Sequence, residues 1–454
     1  MILEAGDALA KAAPRALLRV LGIAFSLAVV VGGVIGSGIL RAPGVVAEGL
    51  RTAPLMIAAW TAGGIVTAIA AMPIVEAGAS VRKAGGPYPI AARAFGPGFA
   101  LFTGWVCWIQ YGASQAFISV VFGEYAHRLG LAPGLSINVL ACLLILATAA
   151  INWTGTRVSG GSQTAASALK GLAFLALAIV LFLAPRHPAA HPLPTAAAPA
   201  LGAIGAIGAV VMAITVIYQT YAGWDTVIYF SEEVHRPERA IASGTFGGVA
   251  LVAFLYVAVN AAALHVLTPA QMAGSKLAVG DAARIAIGPA ADTVITALSL
   301  FSLAAIVNLQ MMTGARVTWR MAADGVLPAP LARVARSGSP RVSIALLTAI
   351  SISIASVGGY ESIVRFYAPW SMAAILIVCL ASIALRWREP GLERPWKMPL
   401  FPLPALLAAA IQIGLIAFVI LGDPRIGLAS SAVAIIPPAL WWALGKARQA
   451  RKAR

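Results

Sequence analysis

Apolar residues run through this chain in long blocks separated by short polar and basic segments. The blocks have the length of membrane spans, since about 20 apolar helical residues cross a bilayer core. Twelve blocks reach that scale, over residues 20–40, 54–77, 98–125, 134–151, 163–184, 203–230, 241–265, 286–315, 342–358, 362–385, 402–421 and 426–444. Two are interrupted by glycine. Gly32-Gly33-Val34-Ile35-Gly36-Ser37-Gly38 breaks the first, and Tyr221-Ala222-Gly223-Trp224-Asp225 breaks the sixth. A helix broken inside hydrocarbon leaves N–H and C=O groups that must face protein, water or a ligand. Breaks at corresponding places in two halves of a chain point to a solute site.

Composition agrees with the pattern. With 60% hydrophobic and 11% charged residues and a mean hydropathy of +0.89, the 454-residue chain cannot be a soluble globule. The net charge of +16 would suggest nucleic acid in a soluble protein. Here the bases cluster in alternate loops, such as Arg82-Lys83, Arg386 to Lys397 and Lys446 to Arg454, while the intervening loops hold isolated arginines such as Arg41, Arg51 and Arg128. That asymmetry predicts a multi-pass protein of the cytoplasmic membrane with both termini cytoplasmic, a bilayer partner and no nucleic-acid partner. Glu4 and Asp7 precede the first block and no small-residue cleavage pattern follows it, which predicts a retained helix rather than a signal peptide.

Little here suggests catalysis. Cys107, Cys142 and Cys379 all fall in spans, where packing explains them better than disulfides. The histidines, His187 and His191 among them, show no metal-ligand spacing, so neither metal nor cofactor is expected. An enzyme should carry clustered His, Asp or Ser-His sets on one face, and a channel a repeated selectivity motif or rings of like charge. Neither is found.

The first break offers backbone N–H groups at a helix start and the Ser37 hydroxyl, a place suited to a carboxylate, although Gly32-x-x-x-Gly36 spacing also serves close helix packing. In the sixth block Asp225 follows the break directly. An acid in hydrocarbon is costly and points to a coupling or structural role, with capping of the second half-helix as the alternative. Glu232 and Glu233, followed by His235 to Arg239, suggest an interfacial salt-bridge and gating cluster.

Five segments stand in a particular order: Gly33 to Ile39; Glu76-x-Gly78-x-x-x-x-Lys83-x-Gly85-Gly86-x-Tyr88; Gly223-Trp224-Asp225 running on to Glu232-Glu233 and Pro237-Glu238-Arg239; Asp324-Gly325-x-Leu327-Pro328; and Arg394-Pro395-Trp396-Lys397-x-Pro399-x-x-Pro402. In order and spacing the chain resembles the amino acid–polyamine–organocation superfamily, and within it prokaryotic amino acid permeases close to the L-type amino acid transporter branch. The resemblance extends to about residue 402. It implies an all-α membrane protein of about 12 transmembrane helices. A cytoplasmic segment (1–19) would precede a five-helix repeat (20–184), its inverted copy (203–385), two further helices (402–444) and a basic tail (445–454).

The resemblance also implies a substrate site between broken helices 1 and 6. Val34, Ile35, Gly36, Ser37 and Gly38 would line it with Ala222 and Gly223, with Ser37 and Gly38 at the substrate carboxylate and carbonyls near Val34 and Ala222 at its ammonium. Asn308 matches a polar position of that pocket, with an interhelical hydrogen bond as the alternative. Family members often carry an aromatic lid four residues before the sixth-span glycine. Gln219 stands there instead, so Tyr218 or Tyr221 would serve as lid or Gln219 would read a polar side chain.

Lys170 matches the place where sodium-coupled members hold a metal ion, and its ammonium could replace that ion. The alternative is a lysine snorkelling to the interface. The segment from Glu124 to Leu135 lacks the cysteine through which animal relatives link a glycoprotein, so no disulfide-linked subunit is expected. The implied activity is sodium-independent secondary transport of amino acids by alternating access, proton-coupled or by exchange. A sodium symporter or a polyamine carrier on the same fold stays open, with a channel behind them.

Overall fold

The computed structural model describes residues 16–36, 38–186, 203–275, 277–357 and 360–452. Ser37, His187, His191 and most of the segment before the first block lie outside them. Among the described residues the chain is helical, and its one β contact is the isolated bridge between Leu21 and Val234. We number the helices α1 (Ile23–Val34), α2 (Gly38–Leu50), α3 (Ala53–Val81), α4 (Pro87–Phe95), α5 (Pro97–Arg128), α6 (Ile137–Thr154), α7 (Thr156–Leu183) and α8 (Ala203–Thr220). A 3-10 segment, Trp224–Phe230, follows α8. Then come α9 (Pro237–Val266), α10 (Pro269–Ala273), α11 (Ala278–Ile287), α12 (Ala290–Ala323), α13 (Arg341–Val357), α14 (Tyr360–Arg388), α15 (Leu403–Gly422) and α16 (Pro424–Lys452).

Among the described residues, ten helical segments are long and apolar enough to span a bilayer. The pair α1 and α2, bent by 51° at the first break, makes an eleventh, and α13 is a shorter apolar helix at the ninth block. The all-α membrane architecture expected from the blocks is therefore present.

Boundaries shift where polar residues are buried between helices instead of ending them. Helix α7 starts at Thr156 rather than at 163, because Ser159 and Gln163 turn inward and are buried. Helix α12 continues to Ala323, past 315, because Arg316 and Arg320 near its end meet carboxylates. The sixth block divides into α8 and the 3-10 segment.

The two broken elements lie inside a ring of partners. Helix α1 packs against α7 and α9, α2 against α8, and the 3-10 segment touches α1, α9 and α12; α5 and α12 run against one another behind it. Interior spacing is set by small residues: a methyl group on Gly248 of α9 would fall 2.5 Å from the Val30 side chain of α1. Such close contact drives helix association in lipid, where water adds no hydrophobic term.

On the face that carries the arginine-rich loops, Glu76 of α3 is buried and accepts from Arg386 Nε at 2.8 Å, Arg386 Nη2 at 2.6 Å and the Met398 backbone N–H at 2.5 Å. One carboxylate thus pins the loop after α14 to α3. Arg394 adds a longer contact to the same carboxylate, at 3.6 Å.

Candidate functional site

A helix ends with its last four carbonyls unpaired. At the end of α1, side chains from three other helices meet the carbonyls of Gly32, Val34 and the following Ile35. Lys170 of α7, fully buried, donates to the Gly32 carbonyl at 2.9 Å and the Ile35 carbonyl at 2.6 Å. Ser302 of α12 adds a second donor to Ile35 O at 3.1 Å. The Tyr256 hydroxyl of α9 lies 3.0 Å from Val34 O and equally 3.0 Å from Thr220 O, so one phenol spans both breaks. An ammonium at a helix C-terminus also suits the negative end of the helix dipole. Lys170 sits near the middle of its helix and is bonded to another, which is not a snorkelling geometry.

The second break turns at Gly223, whose φ of +109° lies in the region open to glycine. Its backbone meets the first break directly: a methyl group there would be 2.8 Å from Gly33 O, and one on Gly33 would be 3.0 Å from Gly223 O. Thr226 donates to Gly223 O at 2.5 Å. Tyr221 is buried, its hydroxyl donating to Trp60 O at 3.0 Å, and its ring packs on Tyr256 with centroids 5.0 Å apart. Tyr218 accepts from Gln412 of α15 at 2.7 Å, and Gln219 is exposed.

Next to the two breaks lies a cavity of about 230 Å³. Gly33, Ala222 and Gly223 line it, and its polar residues include Asp225, Thr226, Gln110, Tyr111, Ser114 and Gln310. Of the residues expected to bind substrate, the structure brings Ala222 and Gly223 to this cavity. Gly36 and Gly38 stand at the α1–α2 bend. A methyl group on Gly38 would make only ordinary contact with Thr220, at 3.5 Å, and Gly38 and Ala222 are exposed. Val34 and Ile35 have buried side chains and take part through their carbonyls.

Asn308 is placed elsewhere. It accepts from Asn152 at 2.9 Å and donates to Gln163 at 2.9 Å, and Gln163 donates on to Ser167 at 3.3 Å. This network ties α6, α12 and α7 together, which is the interhelical alternative. Tyr218, Tyr221 and Gln219 do not line the cavity.

On the arginine-rich face, contacts join the start of α1, the segment after the 3-10 turn and α12. Leu21 N–H donates to Glu233 O at 2.9 Å and His235 N–H to Leu21 O at 2.8 Å. Buried Glu233 pairs with buried Arg316 through two hydrogen bonds, Nη2 to Oε1 being 2.8 Å, and accepts from Thr156 at 3.1 Å. The Arg316 guanidinium lies 4.6 Å from the centre of the Phe230 ring. Arg320 reaches Glu232 at 2.9 Å and also pairs with Asp324. Burial pushes the Glu232 carboxyl above the ordinary glutamate range, opposed by the guanidinium of Arg320. The acids expected to form a salt-bridge cluster at this end do so, with arginines from α12.

Sequence reasoning did not single out Tyr256, Ser302, Gln110 or Gln310. The two glutamines carried a signal, since amides in apolar spans need partners. Tyr256, in the apolar run Leu251–Val259, carried none.

Comparison with known proteins follows the same lines. The family profile described as amino acid permease matches residues 21–444. The chain is 25% identical over 401 residues to the serine/threonine exchanger SteT of Bacillus subtilis, covering 87% of this chain and 89% of that protein. It is 26% identical over 405 residues to the mouse Asc-type amino acid transporter 1, covering 85% and 74%. It is 25% identical over 412 residues to the rabbit large neutral amino acids transporter small subunit 2, covering 86% and 74%. A family match that runs from the start of the first span to the last, over broken helices whose backbones meet beside a polar cavity, makes this chain a member of the amino acid permease family, one of carriers rather than enzymes.

Proposed function

We propose that the chain is a secondary transporter that moves amino acids across the cytoplasmic membrane by alternating access, without sodium, with the arginine-rich loops inside. The observation that carries this reading is the meeting of the two breaks: backbone groups of both lie at a polar cavity between α5, α12 and the 3-10 segment. The N–H groups and hydroxyl of Gly36, Ser37 and Gly38 would take the substrate carboxylate. Carbonyls at Val34 and Ala222 would take its ammonium; Val34 O already faces Tyr256, and a carbonyl has a second lone pair for the ligand. The spans at 20–184 and 203–385 would act as the two repeats.

Two features support sodium independence and a moving part. The Lys170 ammonium links α7 to the end of α1, as a bound cation would, and Ser302 joins from α12. The Glu233–Arg316 pair and the Leu21–Val234 bridge close the arginine-rich face, while Gly38 and Ala222 are exposed, a combination suited to a carrier open away from that face. Asp225 and Lys170 are the groups through which protonation would bias the switch. Exchange is supported by the relative named as a serine/threonine exchanger.

The test is counterflow. Proteoliposomes preloaded with unlabelled amino acid and diluted into sodium-free buffer with a trace of the labelled form should accumulate label above equilibrium. Uptake that never exceeds that of empty liposomes, for any of the common amino acids, would overturn the proposal; an absolute sodium requirement would overturn its coupling.

A further inference from the structure

We infer that the cavity behind the breaks selects amino acids with a cationic side chain, an inference that rests on the transporter reading above. A ligand whose carboxylate and α-ammonium sit at the breaks must send its side chain past Gly33, Ala222 and Gly223 into this cavity. The lining includes apolar Ile118, Ile306, Leu309 and Ile375, which suit methylenes. Among its polar groups are a carboxylate and two amide oxygens that act only as acceptors.

Asp225 contributes a carboxylate, and none of the ion pairs among the described residues uses it. Gln110 Oε1 and Gln310 Oε1 are buried without a hydrogen-bond partner. Gln310 is oriented by its own amide nitrogen, which donates to Ser114 Oγ at 2.8 Å, while Ser114 donates on to Tyr367 at 3.4 Å. That chain of donors uses up the Ser114 proton and leaves the Gln310 oxygen as a free acceptor. No Lys or Arg lines the cavity among the described residues.

An unpaired buried acceptor costs about as much as a lost hydrogen bond, and a carboxylate in a membrane interior costs more. A side chain carrying several N–H donors and one positive charge is the kind that pairs with a carboxylate and amide oxygens together. A leucine side chain satisfies none, and a serine hydroxyl at most one. The ligand class is therefore an α-amino acid ending in an ammonium or guanidinium group. This departs from the neutral or hydroxylated substrates in the names of two relatives.

The experiment is a melting series on the purified full-length protein in potassium chloride, with arginine, lysine, serine, leucine and agmatine each titrated. Ligands that bind only the folded state raise the melting temperature with log concentration above Kd. Arginine and lysine should half-saturate at about tenfold or more lower concentration than leucine, the factor expected for a charge-assisted bond. Agmatine, which lacks the carboxylate, should bind more weakly than arginine. Asp225→Asn should raise the arginine midpoint about tenfold or more, and Gln310→Leu, which keeps the acid, by a smaller factor. Unliganded melting and helical content of each variant report folding separately. Leucine or serine binding as tightly as arginine in the parent protein would overturn the inference and leave the transporter reading standing. Equal binding of agmatine and arginine would overturn it in favour of an amine ligand. No response to any amino acid would remove both readings.

Discussion

The two breaks solve one problem in opposite ways. In the first, three carbonyls meet donors from distant helices: Gly32 and Ile35 meet Lys170, Ile35 also meets Ser302, and Val34 meets Tyr256. In the second, support is mostly local. Thr226 reaches back three residues to Gly223 O, the turn relies on glycine, and the nearest charge is Asp225, facing a cavity. A basic group closes one break, and an acid leaves the other chemically open. The first is thereby tied to α7, α9 and α12, and the second keeps an acid at the cavity.

The comparison can be broken most severely where the breaks touch. Gly223→Val would place Cβ 2.8 Å from Gly33 O and force a branched residue to a φ of +109°. Strain of about 1–3 kcal/mol adds to an overpacking cost of similar size. Yield of folded protein in detergent, followed by size-exclusion chromatography, should fall to near nothing; a normal profile would mean that the backbones are not held in contact.

Lys170 is the next test. Lys170→Ala strands Gly32 O, at about 1–3 kcal/mol for an unpaired buried acceptor, while removing the burden of a buried charge. The protein should fold and bind substrate but transport at least about tenfold more slowly with a flattened pH profile, the loss expected when a charged hydrogen bond is removed. Lys170→Arg should rescue only in part, since a guanidinium differs in shape and does not release its proton. Wild-type uptake and pH response in Lys170→Ala, measured in sodium-free proteoliposomes, would reduce the residue to packing.

The smallest effect belongs to the shared phenol. Tyr256→Phe keeps the ring contacts with Trp60 and Tyr221 and removes one hydroxyl that serves two carbonyls. A loss of about 1 kcal/mol is expected, seen as a melting shift of a few degrees. No shift would mean that the two breaks are not coupled through Tyr256.

How much of this could be read beforehand differs by region. The spans were legible because a bilayer imposes length and composition, and both breaks because glycine clusters stand out in apolar runs. Lys170 was legible because a lysine in such a run is rare, although its partners were not: carbonyls have no sequence signature. Asn308 shows the limit. One amide in a span is equally suited to a pocket and to a helix contact, and only the positions of Asn152 and Gln163, more than 140 residues earlier in the chain, separate the two. The lid position shows the same limit, because Tyr218 is bonded to Gln412 of α15, in the part of the chain where only hydrophobicity had been readable.

The most direct test of the break pair as the substrate site is equilibrium binding of a transported amino acid to Gly38→Leu beside the parent protein. A methyl group at Gly38 meets nothing closer than 3.5 Å, so the helix tolerates a side chain, and leucine then extends from the bend where the proposed substrate carboxylate would sit. The expected result is an unchanged melting temperature without ligand and no measurable binding. Binding equal to the parent's, in a variant that melts normally, would contradict the assignment.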